Sequence, residues 1–130
     1  MKKIEVRKST DEKRIFKVIR RIFPKAFPRF SANDFYFVAK AGGRDVGFIH
    51  LIKKKGRILL QGVGVVENYR ERGIGSMLVD KAIDYANQEK MDIMLKVRPT
   101  NCPALNLYEK KGFSIKKVRD TYILERKQFT

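Results

Sequence analysis

A loop rich in arginine and glycine is the part of this chain best suited to bind a charged ligand. Residues 70–75 read Arg-Glu-Arg-Gly-Ile-Gly and follow an apolar run that ends at Val66. At the start of a helix, free backbone N–H groups, the positive end of the helix dipole and nearby guanidinium groups all favour an anion. Gly73 and Gly75 have no Cβ to keep the backbone away from such an anion. The loop therefore predicts a diphosphate-binding site.

A second motif begins 26 residues after Gly75. It runs from Asn101 to Phe113 as Asn-Cys-Pro-Ala-Leu-Asn-Leu-Tyr-Glu-Lys-Lys-Gly-Phe. The two motifs, in this order and at this spacing, resemble the GNAT superfamily of acyl-CoA-dependent N-acetyltransferases, most strongly from about Ile58 to Phe113. Other phosphate loops do not fit, because no third glycine completes Gly-x-Gly-x-x-Gly and no Gly-Lys-Ser/Thr follows.

The resemblance implies the fold: one α/β GNAT domain over residues 1–130, with a mixed, mostly antiparallel sheet flanked by helices. In this family, parallel strands 4 and 5 start together and splay apart, and the pantetheine arm of acetyl-CoA enters the gap. Gly62 and Gly64 within the fourth predicted strand indicate a bulge or a close approach there. Acetyl-CoA is the expected co-substrate, and no metal is expected.

Hydrophobic periodicity predicts the elements independently of the resemblance. A helix begins after the cap formed by residues 10–12, and a longer helix carries an apolar stripe of Ile74, Met77, Leu78, Ala82, Tyr85 and Ala86. The predicted order is a strand at 4–6, a helix from 12 that Pro24 ends, strands at 34–38, 45–52 and 57–66, a helix at 73–88, a strand at 92–97, a helix at 103–111, and a hairpin at 113–118 and 121–126.

By resemblance, backbone groups of Val63 and Val65, around Gly64, pair with the pantetheine amides. An N–H near Val63 then polarises the thioester carbonyl. The matching pyrophosphate loop and its neighbours comprise Arg70, Arg72, Gly73, Ile74, Gly75, Ser76, Asn101 and Lys111, with Lys111 near the adenosine 3′-phosphate. For the arginines and the lysine, solvated surface charge is the alternative.

Tyr108 occupies the family's position for the general acid that protonates the departing CoA thiolate. A phenol of pKa about 10 and a thiol of pKa about 8.5 are reasonably matched for this transfer. The alternative is a core tyrosine on the last helix.

The general base is where the sequence departs from the family. The two positions that carry Glu or His in many relatives align with Lys96 and Leu59. Three explanations stay open: a water chain to a base elsewhere, a neutral Lys96 acting as the base, or an acceptor that itself bears a carboxylate. His50, the only histidine, is a candidate base or relay, and a structural histidine is the alternative.

The sequence thus predicts acetyl transfer from acetyl-CoA to a primary amine, either a protein N-terminus, including that of a ribosomal protein, or a lysine. One alternative is a small amine such as a polyamine, held by Phe27, Phe30, Tyr36 and Tyr122. Another is a CoA-binding regulatory or nucleic-acid-associated protein.

Composition limits the other classes. Thirty Lys+Arg against 14 Asp+Glu give the 130 residues a net charge of +16, which suits nucleic acid or a ribosome as partner, or simply a lysine-rich solvated surface. No apolar run approaches the roughly 20 residues that cross a membrane, and no secretory signal follows Met1, so a cytoplasmic location is expected. The lone Cys102 excludes an intramolecular disulfide.

Overall fold

The computed structural model describes residues 3–128, so residues 1, 2, 129 and 130 of the predicted domain lie outside the described part. A short 3₁₀ turn, Glu67–Tyr69, joins the fourth strand to the second helix. The elements are β1 (Ile4–Ser9), α1 (Glu12–Ile22), β2 (Asp34–Ala41), β3 (Arg44–Lys54), β4 (Arg57–Val65), α2 (Ile74–Glu89), β5 (Asp92–Val97), α3 (Cys102–Lys110), β6 (Ser114–Val118) and β7 (Tyr122–Arg126).

The seven strands form one mixed sheet in the order β1-β2-β3-β4-β5-β7-β6. Every neighbouring pair is antiparallel except β4 and β5, which are parallel. The parallel pairing covers only Arg57–Leu59 against Asp92–Met94, after which the two strands separate. The predicted α/β fold and its splayed parallel pair are confirmed.

The N-terminal helix forms where the sequence predicts it. The Asp11 side chain accepts a hydrogen bond from the Arg14 backbone N–H and caps α1. Ile15, Val18 and Ile19 are buried against the sheet.

The predicted apolar stripe of α2 is partly wrong. Ile74, Leu78, Ala82 and Ala86 are buried as expected, but Met77 is exposed and Tyr85 only half-buried. Val79 and Ile83 are buried instead. The central residues of the buried stripe were predicted correctly, but the stripe was extended toward the wrong flank of the helix. The sheet packs against the flank that carries Val79 and Ile83.

Strands β2 and β3 are longer than predicted, since pairing continues to the turn itself. Ala41 pairs with Arg44, and Gly42 takes a positive φ of 63° between them. None of the helices within residues 3–128 is long and apolar enough to cross a membrane.

Candidate active site

The gap between β4 and β5 is the first part of the site. Pairing between β3 and β4 shifts by one residue, from His50 opposite Gly62 to Leu51 opposite Leu60, so Gln61 is the extra residue of a bulge. Beyond Leu59 the edge of β4 that faces β5 has no strand partner. Apart from the Val65 carbonyl, which accepts from Arg70 Nε, peptide groups along Gly62–Val65 on that edge are therefore free to pair with amides of a ligand. The backbone roles of Val63 and Val65 stay predictions.

The two glycines of β4 differ in their surroundings. A methyl group on Gly64 would lie 2.9 Å from Ile22 Cγ2 and 3.0 Å from Phe23 Cε2, so this glycine permits the end of α1 to pack on the sheet. A methyl group on Gly62 would meet only Phe48 Cε2, at 3.9 Å. Close packing of α1 therefore accounts for Gly64, and the bulge adjoins Gly62.

The arginine- and glycine-rich loop has the shape of an anion site. Glu71 and Gly73 both have positive φ, at 62° and 79°, and no side chain caps the first N–H groups of α2. A Cβ on Gly73 or Gly75 would meet no atom within 4 Å, so the space beside both glycines is open. These features fit the pyrophosphate of acetyl-CoA, which Ile74, Gly75 and Ser76 N–H groups would receive.

The two arginines of the loop already have contacts. Arg70 Nε donates a hydrogen bond to the Val65 carbonyl at 3.0 Å, and the Arg72 guanidinium lies 4.9 Å from the centre of the Tyr69 ring. Arg70 thereby ties the loop to the end of β4. Both side chains remain exposed, which leaves their charges available to a phosphate.

Two further predicted CoA ligands have structural contacts. The Asn101 side chain accepts from the Ala104 N–H at 3.3 Å and caps α3. Lys111 Nζ lies 2.6 Å from Asp80 Oδ1, which joins the end of α3 to α2. Their direct contact with CoA stays a prediction.

Tyr108 on α3 is buried, with its ring 5.3 Å from that of Phe113 in an edge-to-face arrangement. Burial raises the pKa of Tyr108 to about 12. Within residues 3–128 the Tyr108 hydroxyl has no hydrogen-bond partner. Every fully buried side-chain oxygen in that range does have a partner, so the Tyr108 oxygen is not fully buried. The hydroxyl therefore reaches accessible space and retains its proton at neutral pH.

A cavity of about 420 Å³ adjoins the bulge; we call it the aromatic cavity. Its walls include Phe23, Phe27, Phe48, His50 and Val63. Of the four aromatic residues predicted to form an acceptor pocket, only Phe27 lines it. Tyr36 is buried beneath His50, and Phe30 lines another depression. The four predicted residues therefore do not form one pocket, and that prediction is wrong.

His50 forms a pair with the buried carboxylate of Asp34. His50 Nε2 lies 2.7 Å from Asp34 Oδ1, and the imidazole stacks on the Tyr36 ring with centres 4.2 Å apart. The Ser31 backbone N–H donates to Asp34 Oδ2 at 3.0 Å. Burial alone would raise the pKa of Asp34, but the hydrogen bonds from Ser31 and His50 outweigh burial and hold it below its usual value.

The exposed nitrogen of His50 is the chemically useful one. Burial lowers the pKa of His50, although the Asp34 carboxylate opposes that shift, so the ring is neutral at pH 7. With Nε2 donating to Asp34, Nδ1 carries the free lone pair. Nδ1 makes no hydrogen bond to any residue in the described range, and no buried side-chain nitrogen there is unpaired, so Nδ1 is accessible to solvent. His50 also lines the aromatic cavity.

Comparison with known proteins identifies the family. The sequence profile of the acetyltransferase (GNAT) family matches residues 6–113. The chain belongs to the GNAT family. It is 29% identical to an N-alpha-acetyltransferase of Sulfurisphaera tokodaii, over 87% of this chain and 80% of that protein.

Solved N-acetyltransferase structures share this fold over nearly the whole chain. The ribosomal-protein-S18-alanine N-acetyltransferase of Escherichia coli aligns with a TM-score of 0.80 at 20% identity, over 100% of this chain and 96% of that one. The PaiA N-acetyltransferase of Thermoplasma acidophilum, determined in complex with coenzyme A, aligns with a TM-score of 0.79 at 19% identity. The alignment covers 96% of this chain and 99% of that one. As a GNAT protein this chain is an acyl-CoA-dependent N-acetyltransferase, and acetyl-CoA is its co-substrate.

Lys96 does not have the surroundings of a GNAT general base. It lies on β5 opposite Ile123 of β7 and is exposed, whereas a neutral lysine requires burial. Leu59 is half-buried on β4 and has no acid–base group. Of Lys96, Leu59 and His50, only His50 combines a polar partner with a place in the wall of the aromatic cavity.

The sequence did not reveal Asp34 or Arg29 as site residues. Both depend on the path of the segment before β2, which has no periodicity. The hairpin register could have indicated Asp34, because Tyr36 pairs with His50 and Asp34 with Ile52, which places Asp34 diagonally across from His50. Among residues 3–128 no group of three His, Cys, Asp or Glu could hold a metal ion.

Proposed function

We propose that this GNAT enzyme acetylates the α-amine of a polypeptide N-terminus, with His50 as general base and Tyr108 as general acid. One observation carries the proposal: His50, Gly62 and Val63 line the same cavity. A proton acceptor thus lies beside the stretch of β4 where the resemblance positions the thioester.

The roles follow from the chemistry of each group. Acetyl-CoA supplies the acetyl group as a thioester. His50 Nδ1 takes a proton from the acceptor amine, the new N–C bond forms as the C–S bond breaks, and the Tyr108 hydroxyl gives its proton to the departing sulfur. A backbone N–H near Val63 stabilises the negative charge that develops on the carbonyl oxygen. Asp34 holds the imidazole in the tautomer that leaves Nδ1 free.

An α-amine suits this base better than a lysine. The usual pKa of an α-amine is about 8 and that of a lysine about 10.4, so a neutral imidazole deprotonates the α-amine more readily. The Phe23, Phe27 and Phe48 side chains of the aromatic cavity suit an apolar first residue. The Sulfurisphaera relative, named an N-alpha-acetyltransferase, supports the same acceptor class.

Calorimetric titration with acetyl-CoA, followed by acetylation assays on the same sample, tests the proposal. The acceptors are a short peptide beginning with Met or Leu, the same peptide with a blocked N-terminus and an internal lysine, and spermidine. We expect turnover of the free N-terminus alone. Turnover of spermidine in preference to both peptides would favour the small-amine alternative.

His50→Gln separates the base from the fold. We expect the variant to keep its affinity for acetyl-CoA and to lose about 100-fold in kcat, the usual effect of removing a general base. In the wild type, the fall of kcat/KM should occur on the acid side of the usual histidine pKa of about 6.5, because the pKa of His50 is lowered and Nδ1 is protonated only at a more acidic pH. Loss of that acidic limb in the variant supports the role, whereas an unchanged kcat contradicts it.

A further inference from the structure

The aromatic cavity continues into a second, strongly basic depression. This depression has a volume of about 600 Å³, and we call it the basic groove. Arg29 and Ile52 line both the aromatic cavity and the basic groove, so the two meet there. The walls of the basic groove include Arg29, Ile52, Lys53, Lys54, Lys55 and Gly56.

The spacing along β3 relates the groove to the proposed base. His50, Ile52 and Lys54 alternate along one strand, so their side chains share a face of the sheet. A strand rises about 3.3 Å per residue, which puts Lys54 about 13 Å from His50. An extended peptide with its α-amine at His50 therefore reaches the basic groove with roughly its third to fifth residues.

Two of the four cations that line the groove within residues 3–128 have a carboxylate partner and two do not. Lys53 Nζ is paired with Glu89 at 2.9 Å. Arg29 lies 3.8 Å from Asp34, whose carboxylate also bonds His50, and its side chain is 67% exposed. Within the described part of the chain, Lys54 and Lys55 have no ion-pair partner, and no Asp or Glu lines the groove. A bound chain therefore meets two lysines without an ion-pair partner and the exposed side chain of Arg29.

The path of Arg29 is fixed by the same residues that hold the base. The Tyr36 hydroxyl donates to the Arg29 carbonyl at 2.7 Å, and the Tyr36 ring stacks on His50. The junction of the two depressions is thus built on the His50 support. This arrangement gives the acceptor a direction, from the aromatic cavity past Arg29 to the β3–β4 turn.

We propose that the acceptor is a polypeptide whose first residue is apolar and whose third to fifth residues include Asp or Glu. The inference rests on the proposed function and specifies its substrate class. Charge complementarity selects this acceptor over lysine-rich peptides and polyamines, which the groove repels. Each exposed ion pair changes affinity only a few-fold, so two or three acidic residues should give about a 10-fold preference.

Three matched peptides test the inference. They begin with the same apolar residue and carry Glu, Gln or Lys at positions 3–5. We expect kcat/KM at low salt to be about 10-fold higher for the Glu peptide than for the Gln peptide, and lowest for the Lys peptide. Lys54→Glu/Lys55→Glu should abolish or reverse that order. The control, Lys13→Glu/Lys17→Glu, makes the same change of charge on exposed positions of α1 outside both depressions and should keep the order.

The outcomes separate the two proposals. Equal turnover of the Glu and Gln peptides, or a preference that survives Lys54→Glu/Lys55→Glu, overturns the acidic-acceptor inference and leaves N-terminal acetylation standing. No turnover of any peptide despite acetyl-CoA binding overturns both. A third outcome is that the Glu, Gln and Lys peptides are turned over equally, a short RNA inhibits the reaction, and Lys54→Glu/Lys55→Glu removes that inhibition. This outcome would overturn the acidic-acceptor inference and assign the groove to nucleic acid.

Discussion

At the scale of the residue, Tyr108 shows how packing and chemistry compete. Its ring packs on Phe113, while its hydroxyl has no protein partner within residues 3–128. With its pKa raised to about 12, it is a weaker acid than an ordinary phenol, so proton transfer to a thiolate of pKa about 8.5 is uphill by about 3.5 units. The hydroxyl works as an acid only if the proton moves as the C–S bond breaks and negative charge accumulates on sulfur.

Tyr108→Phe removes the hydroxyl and keeps the ring. We expect kcat to fall by about 10- to 100-fold, toward the low end of general-acid effects because the pKa match is poor. The Kd for acetyl-CoA and the thermal midpoint should change little, since the lost group makes no hydrogen bond to the described chain. A large drop in thermal midpoint with unchanged kcat would instead identify Tyr108 as a core residue.

The residues of the site differ in how far the sequence could predict them. Tyr108, Gly73 and Gly75 lie in motifs, so their chemistry and spacing are visible along the chain. The partnership of His50 with Asp34 arises from strand register and from the Ser31 turn that holds the carboxylate. Such a pair is contiguous only in space, and the sequence therefore left the role of His50 open.

At the scale of the element, two glycines of the site should respond oppositely to a methyl group. Gly75→Ala places the methyl group in open space beside the anion loop, within the first turn of α2 where alanine is the better helix former. We expect unchanged or slightly higher stability, and a Kd for acetyl-CoA about 10-fold weaker, equivalent to 1.4 kcal/mol. Gly64→Ala drives the methyl group into Ile22 and Phe23 and should lower the free energy of unfolding by about 1–3 kcal/mol.

Calorimetry of ligand binding and denaturant unfolding of both variants check this contrast. Each glycine variant serves as the control for the other, because the chemical change is the same. If Gly75→Ala binds acetyl-CoA as tightly as the wild type does, the open space beside Gly75 does not receive the phosphates.

The elements themselves were largely predictable. Hydrophobic periodicity predicts the β4–α2–β5 crossover, turn residues predict the hairpins, and Asp11 predicts the cap of α1. The buried flank of α2 was assigned wrongly, because Met77 and Tyr85 on one flank and Val79 and Ile83 on the other both continue the apolar stripe at helical spacing. Which flank meets the sheet depends on how the helix lies across twisted strands, and periodicity contains no such information.

At the scale of the whole molecule, the positive charge is unevenly distributed. Between residues 13 and 33 there is no Asp or Glu, while Lys and Arg occur seven times. On this stretch the Arg20 guanidinium lies 5.4 Å from the ring centres of both Phe16 and Phe27, which are exposed. Arginine stacked on exposed aromatic rings also suits nucleic acid, so association with nucleic acid or a ribosome stays a prediction.

The net charge of +16 should make acetyl-CoA binding depend on salt. Between about 0.05 and 0.5 M NaCl, where the screening length shortens to a few ångström, we expect the Kd for CoA to rise about 10-fold. Dephospho-CoA lacks the 3′-phosphate and should show a smaller rise, because the field of the protein acts on fewer ligand charges. Calorimetric titrations of both ligands at four salt concentrations measure the two slopes. A Kd for CoA that does not change with salt would mean that backbone N–H groups at the start of α2, rather than the surrounding lysines and arginines, supply nearly all of the phosphate affinity.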